Sequence, residues 1–130
     1  MNQRPQKPRV TDSTLDHLRV PPHSIEAEQS ILGGLLLDNQ AWDRMGDLVT
    51  DTDFYRDEHR RIFRQIRSLL ERAKPADVVT VAEALDAAGE GDQTGGLAYL
   101  GELAANTPSA ANIRRYAEIV RERSVLRQLV

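Results

Sequence analysis

The chain has 130 residues, enough for one domain with one core, and its 40% hydrophobic and 28% charged residues suit an ordinary folded domain. The absence of cysteine excludes disulfides, thiol catalysis and thiolate metal sites. A net charge of −3 argues against a domain that grips duplex DNA by its own field. No apolar run nears the roughly 18 residues of a membrane span and no signal-peptide block opens the chain, so the expected compartment is the cytoplasm.

Residues 1–20 read as a disordered arm. They carry Pro5 and Pro8, basic Arg4, Lys7, Arg9 and Arg19, and too little apolar side chain to offset ordering. PPHSIEAEQSILGGLLLD (21–38) then reads as a helix, with Ser24 as N-cap and Glu26 and Glu28 at the positive end of its dipole. Ile25, Leu32, Leu35 and Leu36 share a face. Ala27, Ser30 and Gly34 form a small-residue stripe opposite, where another backbone can come close. Gly33 costs about 1 kcal/mol against alanine in such a helix, and the pattern offers only a bend to explain it.

A second helix is predicted over 39–49, with Trp42, Met45, Leu48 and Val49 inward, followed by a turn plugged by Phe54 and Tyr55. YRDEHRRIFRQIRSLLERAKP is the clearest helix. Tyr55, His59, Ile62, Phe63, Ile66, Leu69, Leu70 and Ala73 form its apolar stripe, and Pro75 stops it. Its opposite face carries Arg60, Arg61, Arg64, Arg67 and Arg72. That face reads as solvated and partly paired with Asp57, Glu58 and Glu71, in preference to a nucleic-acid surface. Thr80 to Glu83 has the form of a capping box opening a helix through about Ala88. GEGDQTGG reads as a loop and LAYLGELA as a helix burying Leu97, Leu100, Leu103 and Ala104. Ser109 is the expected cap of the last helix. The one β-like stretch, Asp77–Val81, is short and runs into a helix start. The expected fold is all-α, a compact orthogonal bundle of about six helices.

The last helix places Ile113, Tyr116, Ala117 and Val120 on one side and Val125, Leu126, Leu129 and Val130 on a side rotated by on the order of 100°. The first set is expected to pack on the domain. The second is expected to leave it for a following helix or another subunit. With no cap after Val130, the chain reads as cut in mid-helix. Candidate partner-interface residues are therefore Ile119, Arg123, Leu126, Leu129 and Val130.

No catalytic set stands out. His17, His23 and His59 lack ligand-spaced neighbours. Asp51-Thr52-Asp53 fails as a calcium loop because Arg56 and Ile62 occupy its sixth and twelfth positions. Gly91–Gly96 has P-loop glycine spacing, but Leu97 and Ala98 stand where lysine and a hydroxyl residue must follow. No catalytic, cofactor-binding or metal residue is assigned.

The segments PPHSIEAEQSILGGLLLD, DFYRDEHRRIFRQIRSLLERAKPADVVTV and GGLAYLGELAANTPSAANIRRYAEIVRERSVLRQLV, in that order, resemble the N-terminal domain of the DnaB-type bacterial replicative DNA helicase. The resemblance runs from about Val20 to Val130. It implies a full-length ring-shaped hexamer that unwinds DNA at the replication fork with ATP and magnesium, held by a RecA-like C-terminal motor domain absent here. It implies that 21–120 is a helical collar domain and 121–130 the truncated start of a hairpin helix. The implied partners are other subunits, primase, a helicase loader, and DNA through the full-length ring. The alternative is a small helical DNA-binding module, since TVAEALDAAGE has the look of a helix-turn-helix scaffold. LAYLGELAAN, however, supplies no lysine or arginine for a recognition helix.

Overall fold

The computed structural model describes residues 20–129; the arm assigned to 1–20 and Val130 fall outside them, except for Val20. Seven α-helical segments are described: α1 Ile25–Leu37, α2 Trp42–Met45, α3 Asp57–Glu71, α4 Val78–Ala87, α5 Gly91–Thr94, α6 Gly96–Asn106 and α7 Ile113–Gln128. Single 3-10 turns at Asn39–Ala41 and Asp51–Asp53 complete the order, and no strand occurs among the described residues.

The central element is α1. It starts where Ser24 Oγ accepts the Ala27 N–H at 3.2 Å. It lies against α7, α6 and α3, while α4 packs on α6 and α3. Ile31, Leu32 and Leu35 are fully buried among Phe54, Phe63, Ile66, Leu100 and Ile113. Burying each such side chain contributes about 1.5–3 kcal/mol.

The paired glycines of α1 are explained by what touches them. A Cβ on Gly34 would meet Ala110 Cβ at 3.4 Å and Ile113 Cδ1 at 3.3 Å, so the small-residue stripe does admit another segment. A Cβ on Gly33 would overlap the Thr107 hydroxyl and the Leu103 carbonyl oxygen at the end of α6. The helix runs unbroken through both positions, so Gly33 marks a close approach and not a bend.

Several predicted elements shift. The 39–49 helix shrinks to a 3-10 turn and the single turn α2. Asn39 is drawn into a cross-link, donating to the carbonyls of Leu35 (2.9 Å) and Ala76 (2.8 Å) and accepting from the Ala76 N–H (3.0 Å). The capping box exists but sits three residues earlier. Asp77 accepts from Thr80 N at 2.9 Å and Thr80 Oγ accepts from Asp77 N at 2.8 Å, so the β-branched run after Asp77 is the first turn of α4. The Gly91–Gly96 loop holds the helical turn α5, ended by Gly95 at φ +81°. Leu97, expected inside, is exposed in the first turn of α6. Ser109 bonds Ala111 N at 3.3 Å in the turn before α7, whose N-cap is Asn112.

Four of the five arginines on this face of α3 are paired, with partners partly different from those expected, while Arg72 bonds the Ser68 carbonyl at 3.1 Å. Arg60 and Arg61 reach Asp57, Arg61 and Arg64 reach Glu90, and Arg64 and Arg67 reach Asp51. Glu58 pairs with Arg56 instead.

Candidate functional site

The candidate interface lies on α7. Ile113, Ala117 and Val120 are buried in the core as expected, and Tyr116 and Ile119 pack against its edge. Val125, Leu126 and Leu129 are 39%, 46% and 76% exposed, an apolar row along the outer side of the last two turns. Leu126 and Leu129, three residues apart, share a face. Arg121, Glu122, Val125 and Leu126 line a shallow depression there. Arg123 is half-buried beside Glu122, and Ile119 belongs to the edge of the core and not to the exposed row. Val130 lies outside the described residues.

The second half of α7 does not leave the domain as expected. The inward stripe continues in phase from Ile113, Ala117 and Val120 to Ser124 and Arg127, at steps of three and four residues. Its chemistry changes instead. Ser124 Oγ donates to Asp53 Oδ1 at 2.7 Å, and Arg127 donates to the carbonyls of Asp53 (2.6 Å) and Pro22 (2.8 Å). A hydropathy reading sees only apolar side chains, so it found that the apolar residues change face and missed the polar contacts that keep the helix on the domain.

Sequence reasoning also missed a buried polar cluster joining α1, α3 and α6. Glu28 is buried and accepts from the backbone N–H groups of Tyr55 (2.6 Å) and Arg56 (3.4 Å). His59 Nδ1 lies 2.8 Å from Glu28 Oε1, and its Nε2 lies 2.7 Å from the Tyr99 hydroxyl. With Glu28 as the acceptor, Nδ1 carries the hydrogen of that bond. Gln29 donates to the same Tyr99 oxygen at 3.2 Å, and burial pushes the phenol above its ordinary pKa. The signal was present: Glu28 and His59 each sit in phase with a buried stripe, where an ionisable residue needs a partner. Tyr99 also lines a cavity of about 200 Å³ with Glu26, Gln29, Glu102 and Asn106.

The Gly91–Gly96 segment does not fit a phosphate-binding loop. Gly91–Thr94 is coiled into α5, and the Thr94 hydroxyl is buried and donates to the carbonyls of Glu90 and Gly91. Among the described residues no three His, Asp or Glu side chains form a group that could hold a metal ion. No helix among them is long and apolar enough to cross a membrane.

The family model described as the DnaB-like helicase N terminal domain matches residues 20–122. The chain belongs to this family. Replicative DNA helicase DnaB of Haemophilus influenzae is 46% identical over 120 residues, covering 92% of this chain and 26% of the relative. The protein of the same name from Geobacillus stearothermophilus is 45% identical over 112 residues, 86% of this chain and 25% of the relative. The crystal structure of the N-terminal domain of DnaB helicase from Mycobacterium tuberculosis superposes with a TM-score of 0.82 at 43% identity, covering 84% of this chain and 76% of that one. The chain thus spans about a quarter of the length of the curated DnaB relatives it matches, and its all-helical fold is that of the DnaB N-terminal domain.

Proposed function

We propose that this DnaB N-terminal domain is the non-catalytic collar of a cytoplasmic, ring-shaped replicative helicase, holding neighbouring subunits in register and offering primase a docking surface. In this reading residues 21–120 form the collar and 121–130 begin a hairpin helix. DNA unwinding, ATP and magnesium belong to a motor domain elsewhere in the longer protein, and a helicase loader and DNA meet the assembled ring. The observation that carries the reading is the exposed row Val125, Leu126 and Leu129 on the last two turns of α7. It is supported by relatives about three and a half times this length named replicative DNA helicase. Apolar side chains aligned on a helix surface are the anchors by which one helix seats on another.

The test is the double substitution Leu126→Glu and Leu129→Glu in the full-length helicase. Both side chains are exposed, so the domain should stay folded. Hexamer assembly followed by sedimentation should weaken, as should capture of primase. If both are unchanged, the row is not the assembly surface.

A further inference from the structure

We propose that Asp53 is a positioning residue: it fixes the direction in which the second half of α7 runs, and so where the apolar row is presented to a neighbouring chain. The proposal deepens the assembly reading and rests on it for its functional meaning.

Asp53 ends the 3-10 turn before α3 and is 2% exposed. A carboxylate so placed needs donors, and α7 supplies most of them. Oδ1 accepts from Arg121 Nη1 at 2.9 Å and from Ser124 Oγ at 2.7 Å. Oδ2 accepts from the Thr50 N–H at 2.8 Å, which ties the carboxylate to its own turn. The Asp53 carbonyl accepts from Arg127 Nη2. The other terminal nitrogen of Arg127 reaches the Pro22 carbonyl, and its guanidinium lies 5.5 Å from the centre of the Tyr55 ring. His23 stacks on that ring at 4.1 Å. Three residues across two turns of α7 therefore converge on one short turn and the segment that leads into α1.

The kind of contact matters. Apolar burial is non-directional. Hydrogen bonds to a buried carboxylate are short, charge-assisted and angular, so they define an orientation. A charged cluster is also a poor choice for stability alone, because well-packed apolar residues of similar volume usually do as well or better. α7 changes to this cluster at the level where the outward row begins, beyond Val120.

The test uses the 130-residue chain, which has no cysteine of its own. Spin labels are placed through Glu83→Cys on α4 and Gln128→Cys at the end of α7, both exposed positions. The parent should give one narrow distance distribution. The pair Ser124→Ala and Arg127→Ala should broaden and shift it, and Asp53→Asn should do the same. Amides of 121–128 should lose about tenfold or more of hydrogen-exchange protection, the equivalent of one bond to a charged group, while those of α3 keep theirs. A distribution as narrow as the parent's in the folded variants overturns the proposal. If Asp53→Asn fails to fold, the Ser124 and Arg127 pair decides, since it leaves Asp53 its Thr50 and Arg121 donors. The labels report α7 against its own domain and require no partner. Broadening here together with unchanged assembly of the Leu126 and Leu129 variant would sink the assembly reading and leave the positioning role standing.

Discussion

The two halves of α7 are one continuous helix held in two different ways. From Ile113 to Val120 it is held by apolar side chains sunk in the core beside α1. From Arg121 to Arg127 it is held by hydrogen bonds to Asp53 and Pro22, with its apolar residues turned outward. The difference teaches that outward-facing leucines on a terminal helix do not mean the helix has left its domain. Polar side chains can carry the inward stripe and free the apolar ones for another chain.

That contrast can be broken at several points. The largest effect belongs to the first half: Ile113→Ala should cost about 2–5 kcal/mol of stability, read from denaturant unfolding, because Ile113 is fully buried against Gly34. In the second half Ser124→Ala should cost only about 1 kcal/mol in the same assay, since Asp53 keeps its other donors. A loss as large as that of Ile113→Ala would mean that the polar half carries the fold.

The end of α3 offers a comparison. There Ala73 sits at φ +58° between the bonds Ala73 N to Leu70 O and Lys74 N to Leu69 O, a helix end that favours glycine. Ala73→Gly should raise stability by about 1 kcal/mol in thermal or denaturant melts, through relief of left-handed strain; an unchanged or lower midpoint would contradict this.

The smallest effect is at the surface. The hydrogen bond from Arg61 holds the Asp57 carboxyl below its ordinary range. A lowered folded-state pKa contributes stability above the unfolded value, and that contribution is lost as pH falls through the folded one. The pair is exposed, so the contribution is small and screened by salt. Asp57→Asn should slightly lower stability near neutrality and flatten the acid side of a stability-against-pH curve; an acid side as steep as the parent's would contradict this.

Much of the fold was legible because it rests on local, periodic signals. Ser24 capped α1 as its type and position required, and the stripe from His59 to Leu69 gave α3. The failures were of other kinds. Thr80 and Glu83 matched a capping pattern, but Asp77 is the better cap and took the helix start three residues earlier. Gly33 could be explained only by Thr107 and the Leu103 carbonyl, distant in sequence. Leu97 lay in phase with its helix and is exposed in its first turn. For the candidate site, the outward row of Leu126 and Leu129 could be read from spacing. Its support could not: Asp53 lies some seventy residues from its donors Arg121 and Ser124, and nothing local links them. Glu28 and His59 were readable in principle, as ionisable residues in phase with buried stripes.

The central claim is that the row on α7 is covered by a neighbouring chain in the assembled protein. Hydroxyl-radical footprinting of the longer protein that carries this domain, assembled and dissociated, tests it most directly. Leu126 and Leu129 should be protected on assembly, while Leu97 and Val79, exposed apolar residues on other helices, stay labelled. Equal labelling of Leu126 and Leu129 in both states would contradict the account.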